Sequence, residues 1–201
     1  MKKELFIVSL FIFIINSMLV VTNCYQPIDE LINLGVSLIR NSNVTEVIKV
    51  LTSFGDTNVI IMLNALLIIF IFFKKKYKLL VIPIASTLSG IINTGLKYLF
   101  SRPRPEGIAL IAQGGFSYPS GHSAISVLFY GTIIYLLMKS DIKYKKVYIT
   151  LLTIMAVIIP LTRIYLGVHY LSDVIGGVSL GFSILSIILV IYDKVTTTKE
   201  K

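Results

Sequence analysis

The chain has 201 residues, of which 55% are hydrophobic and only 14% charged. Ordinary soluble domains carry roughly a quarter of charged residues, so this balance, with a mean hydropathy of +0.85, excludes a soluble globular protein. The net charge of +9 raises nucleic acid as a partner, but thirteen of the nineteen Lys and Arg cluster at the ends of apolar runs, which is a membrane-topology pattern rather than a nucleic-acid footprint.

Lys2 and Lys3 precede the first apolar run, Leu5–Val21. A basic start followed by an apolar stretch also fits a secretory signal peptide. The run is long, however, no small-x-small cleavage site follows, and Val21-Thr22-Asn23-Cys24 makes a poor lipoprotein box, so a retained helix is favoured. Cys24 is the only cysteine, which rules out an intrachain disulfide and a thiolate metal cluster. Segment Gln26–Thr52 then sets Ile28, Leu31, Ile32, Leu34, Leu38 and Ile39 near helical spacing, with Asp29 and Glu30 at its start. That is the pattern of an amphipathic helix on the membrane interface; packing on the rim of a bundle fits it equally.

The second run, Asn58–Phe73, ends in Lys74-Lys75-Lys76-Tyr77-Lys78. The third, Leu79–Phe100, runs into a polar island at Lys97–Pro105 that holds Lys97, Arg102 and Arg104 within eight residues. Arg supplies a planar, multi-donor clamp for phosphate and Lys a compact charge. Arg102 reads equally as a substrate ligand or a headgroup contact, and Glu106 as a solvated loop charge. A second island, Tyr118-Pro119-Ser120-Gly121-His122, opens the fourth run, His122–Met138. Unpaired N–H groups and the positive dipole end at a helix start favour phosphate oxygens. Gly114, Gly115 and Gly121 would allow close backbone approach, and His122 could give a proton to a leaving alkoxide. A helix cap with a bystander histidine is the plain alternative.

Four lysines between Lys139 and Lys146 separate this run from the fifth, Val147–Leu166. It ends in a third island, Arg163 to Asp173. His169 and Asp173 are four residues apart and share one helix face, so the carboxylate can accept a hydrogen from one ring nitrogen and leave the other as a nucleophile. A structural His–Asp pair capping a helix is the alternative. Gly167 can turn the chain so that Arg163 returns toward the same place. The sixth run, Leu171–Ile191, leads into a tail with three lysines between Lys194 and Lys201.

Each run approaches the roughly 20 residues that cross a hydrocarbon core. With no repeat, low-complexity tract or linker in residues 1–201, the expected fold is all-α: a single domain, a six-transmembrane helical bundle with an amphipathic interfacial helix between spans one and two. Lysine clusters alternate with cation-poor loops, so the positive-inside rule puts both termini in the cytoplasm and all three islands on the outer face.

In order and spacing, Lys97-x6-Arg104-Pro105, Pro119-Ser120-Gly121-His122 and Arg163-x5-His169-x3-Asp173 resemble the three signature motifs of the type 2 phosphatidic acid phosphatase (PAP2) superfamily. The resemblance implies that His169 attacks phosphorus to form a phosphohistidine while Asp173 orients it. It implies that His122 protonates the leaving group. Lys97, Arg104 and Arg163, with Ser120 and the Gly121 N–H, would neutralise the phosphate oxygens. One departure is Thr162, where the family usually has Ser; its hydroxyl could still reach phosphate. Asp173 is the only acidic residue in the three motifs, so no metal or other cofactor is expected.

The expected activity is a metal-independent lipid phosphatase of a multi-pass plasma membrane protein, its partners a phosphorylated lipid and the bilayer. Candidate substrates are phosphatidic acid, phosphatidylglycerophosphate and a polyprenyl pyrophosphate such as undecaprenyl pyrophosphate. A vanadate-dependent haloperoxidase has a similar site but is typically soluble. A non-catalytic phospholipid transporter or binding protein would not need both histidines together with Asp173. Oligomeric state is not legible.

Overall fold

The structure, a computed structural model, describes residues 2–198; Lys199 and Lys201 of the basic tail lie outside the described residues. The elements are α1 (Lys2–Val21), α2 (Gln26–Leu38), α3 (Ser42–Ser53), α4 (Thr57–Lys74), a 3-10 turn at Tyr77–Leu80, α5 (Val81–Phe100), α6 (Gly121–Met138), α7 (Lys145–Tyr165) and α8 (Leu171–Thr198). No strand occurs among the described residues. Six helices are long and apolar enough to cross a membrane: α1, α4, α5 with the preceding turn, α6, α7 and α8. They match the six apolar runs, with α8 continuing seven residues past the end of the sixth.

Helix ends follow local chemistry. α5 stops at Ser101, which adopts φ 45 and returns its N–H to the Lys97 carbonyl; Pro103 and Pro105 then forbid further helix. α6 starts at Ser120, whose side chain accepts the Ser123 N–H. After α7 the chain turns at Gly167, φ +69, where a Cβ would strike the Ile108 carbonyl oxygen, so glycine is required there.

α8 lies at the centre, packed along α1 and α6, while α6 also packs on α7. One core joins Phe13, Tyr118, Leu128, Leu180, Ile184 and Leu189; a second joins Ile60, Ile82, Phe129, Tyr130 and Ile159. α1 is tied into this packing by Asn16, whose Nδ2 donates to Tyr118 Oη and to the Ser172 carbonyl, both at 3.0 Å. α4 touches the bundle lightly, chiefly through α5. It turns Phe73 (83% exposed) and its neighbours outward, as a lipid-facing helix does.

The segment between spans one and two is helical and amphipathic, but it forms two helices rather than one. Asn41, extended at φ −136, caps α3 by accepting the Asn43 and Val44 N–H groups, and this cap breaks the segment. The orientation of α2 answers the question of interface or rim with both. Leu31, Leu34 and Leu38 face outward, while Asp29 and Asn33 are buried, so α2 grips the bundle by its polar face and presents its apolar face to lipid.

Candidate active site

The three islands converge at one end of the bundle. His169, buried in the turn between α7 and α8, donates Nδ1–H to Asp173 Oδ2 at 3.2 Å. The same oxygen accepts the Tyr170 N–H at 2.9 Å. The helical start of α8 makes this local, as the four-residue spacing predicts. With Nδ1 committed, Nε2 carries the lone pair, and Arg104 Nη1 lies 3.1 Å from it. Burial pushes the His169 imidazole down to about 3, against the opposing pull of Asp173, so the ring is neutral at physiological pH.

Arg104 is held by backbone. Its Nε donates to the Gly115 carbonyl at 3.0 Å, Nη1 to Val168 at 2.7 Å, and Nη2 to Gly114 and Phe116 at 3.1 Å each. Burial lowers its pKa. Gly114 and Gly115 thus serve the site through their carbonyls. Gly115 adopts φ +71, a conformation that favours glycine. Lys97, from the last turn of α5, donates to the carbonyls of Phe116 at 2.5 Å and Ser117 at 3.2 Å. Lys97, Arg104, Gly121, His122 and His169 all line one cavity of about 510 Å³.

Ser120, Arg163 and Asp173 do not line that cavity. Ser120 Oγ accepts from Ser123 Oγ at 2.9 Å, and the Ser120 N–H donates to the Asp173 carbonyl at 3.0 Å. Arg163, fully buried, donates to Thr52 Oγ1 at 2.7 Å and to Gln113 Oε1 at 2.6 Å. Its Nε has no partner, and Gln113 stands on the cavity wall in front of it. The Thr162 hydroxyl donates to the Ile159 carbonyl at 2.5 Å.

Arg102 has carboxylate partners that its sequence neighbourhood does not reveal. Its guanidinium bridges two buried carboxylates, Asp173 Oδ1 at 2.7 Å and Asp29 Oδ2 at 2.8 Å, and lies over the Tyr170 ring at 4.4 Å. Burial opposes its charge, but the two carboxylates outweigh that and raise its pKa. Leaving two such carboxylates unpaired would cost about 3–5 kcal/mol. Asp29 also accepts the Ser172 N–H at 3.0 Å. His122 has an unforeseen partner as well: its Nε2–H donates to Asp56 Oδ1 at 2.7 Å, a bond that holds the Asp56 carboxyl below its usual range. Glu106 is exposed, as read. Among the described residues no three His, Cys, Asp or Glu side chains are placed to share a metal ion.

This is a multi-pass helical membrane protein with two histidines lining one cavity at one end of its bundle. The chain belongs to the PAP2 superfamily, whose model matches residues 78–197. It is 32% identical over 199 residues to phosphatidylglycerophosphatase B of Bacillus subtilis (strain 168), covering 96% of this chain and 98% of that protein. It is 30% identical over 181 residues to lipid A 1-phosphatase of Rhizobium etli, covering 75% and 73%. A crystal structure of a transmembrane PAP2-type phosphatidylglycerolphosphate phosphatase from Bacillus subtilis superposes with a TM-score of 0.87 at 30% identity, covering 94% and 96%.

Proposed function

We propose that this phosphate-ester hydrolase removes the terminal phosphate from a membrane lipid through a phosphohistidine on His169, at the outer face of the plasma membrane. The observation that carries the reading is the His169–Asp173 pair, which commits Nδ1–H to a buried carboxylate and leaves the Nε2 lone pair beside Arg104 in the cavity. In the first step Nε2 attacks phosphorus as the bond to the leaving oxygen breaks, and His122 gives that oxygen its proton. In the second, water attacks phosphorus, the P–N bond breaks, and inorganic phosphate leaves with His169 neutral again. Phosphoryl transfer of this kind is catalysed chiefly by positioning and charge stabilisation. Lys97 and Arg104 supply the charge at the wall, and Arg163 supplies it from behind Gln113.

The names of both relatives support a lipid phosphate as substrate, and phosphatidylglycerophosphate is the leading one, ahead of phosphatidic acid and a polyprenyl pyrophosphate. The alternation of lysine clusters supports the outward orientation. Purified protein in detergent with a chelator is expected to release phosphate from these lipids, and His169→Ala to release none. With a good leaving group, His122→Ala is expected to form the acid-labile, base-stable phosphoenzyme that His169→Ala cannot. Label on the His169→Ala protein would overturn the assignment of nucleophile.

A further inference from the structure

The His169–Asp173 pair has a support that lies outside the three islands. Asp29, in the first turn of α2, is 1% exposed, and a buried carboxylate is costly unless it is paired and hydrogen-bonded. Its Oδ2 accepts from Arg102 Nη2 at 2.8 Å and from the Ser172 hydroxyl, and its Oδ1 accepts the Ser172 N–H at 3.0 Å. Ser172 is in the first turn of α8. N–H groups there lack a partner within their own helix, so Asp29 caps α8 from a different helix. Arg102 in turn gives Nη1 to the Ser172 hydroxyl and to Asp173 Oδ1, each at 2.7 Å. Every one of these bonds ends on Asp173, on the residue beside it, or on the arginine that holds it.

Resting on the reading of His169 as the nucleophile of a lipid phosphatase, we propose that Asp29 is a positioning residue of the reaction, acting through Arg102 and Ser172 on Asp173 and hence on the imidazole. Asp29 does not line the cavity, so its influence travels through these partners. The bonds to Ser172 fix where the chain enters α8, and so the direction from which Asp173 meets the His169 Nδ1–H. The charge sets what Asp173 can do there. One guanidinium shared between two carboxylates leaves one negative charge in excess; Arg102 paired with Asp173 alone would cancel it. A carboxylate that keeps its charge draws the Nδ1 proton more strongly and leaves Nε2 the better nucleophile. The interfacial helix thereby contributes to the chemistry from outside the cavity.

The test follows phosphate release by the purified protein from dioctanoyl phosphatidic acid over a range of concentrations. Asp29→Asn keeps the shape and the acceptor for the Ser172 N–H while removing the charge. Its kcat is expected to fall about tenfold with KM within about twofold of wild type, the signature of an interaction that counts in the transition state. In an Arg102→Gln background the same substitution is expected to cost less than about threefold, because its path is already broken. An equal fall in both backgrounds overturns the proposal, as does an unchanged kcat or a loss confined to KM. Ser172→Ala removes one hydroxyl and keeps the backbone bond. It is expected to lower kcat about threefold and carries the test should Asp29→Asn not fold; an unchanged kcat there overturns the proposal too. Wild-type protein inactive on this lipid would instead overturn the phosphatase reading itself.

Discussion

The carboxylate of Asp56 fixes His122 by its Nε2–H, and a negative charge at that distance favours the protonated ring. Protonation is what an acid catalyst requires before the leaving group departs. Asp56→Asn keeps the shape and removes the charge, so the alkaline limb of the pH–rate profile is expected to move to lower pH by about one unit. A profile identical to wild type would leave Asp56 without that role. Residues of this kind explain what the sequence could and could not convey. His169 and Asp173 are legible because their pairing is local, four positions apart across the start of α8. Asp56 meets His122 across 66 residues, and Asp29 meets Ser172 across 143. Before the helices are packed, no periodicity or motif links such positions, and Asp29 reads as an ordinary first-turn acid. Arg102 was ambiguous for the same reason, since both of its carboxylate partners depend on tertiary structure.

At the scale of elements, the approach of α8 to the start of α6 decides whether the two histidines face one cavity. A Cβ at Gly177 would collide with the Ser120 carbonyl oxygen and come within 2.8 Å of Ser123 Cβ, and one at Gly181 would come within 2.7 Å of the Ala124 carbonyl oxygen. Small residues four apart let helices in membranes pack this closely. Gly177→Ala is therefore expected to push α6 off α8, and with it His122 away from His169. Because a 1 Å misplacement can cost about 10²-fold, activity should drop by about that factor while detergent-solubilised protein still purifies as a folded species. A rate within twofold of wild type would show that the contact is not limiting. The helices are legible from hydropathy to within a few residues, because a hydrocarbon core demands long apolar runs; only α8 outlasts its run, by seven residues of polar tail to Thr198. The break in the interfacial segment is not legible. It turns on Asn41 capping α3, and the apolar spacing on either side carries straight through it.

For the whole molecule, orientation is the open physical statement, and the chain carries its own reporter. Cys24 is exposed, immediately after α1, at the end of the bundle that holds the site. An impermeant maleimide applied to intact cells is expected to label it. Asp141→Cys in a Cys24→Ser background, at the opposite end, should label only after permeabilisation. The reverse pattern would place the site in the cytoplasm.

α8 also carries an acidic residue near each end. At the site end, Asp173 is gripped by Arg102; at the other, Asp193 accepts from Tyr135 and Lys139, and pairs with Lys2 of α1. Twenty residues separate these anchors, about 30 Å of helix, which is the thickness of a typical hydrocarbon core. Ion pairs at both ends hold α8 in register with α1, α6 and the loop after α5, so the bundle meets the bilayer as one unit. In a thinner or thicker bilayer it is the lipid that must stretch or compress around the protein, and the depth at which a headgroup meets the histidines stays set by the protein.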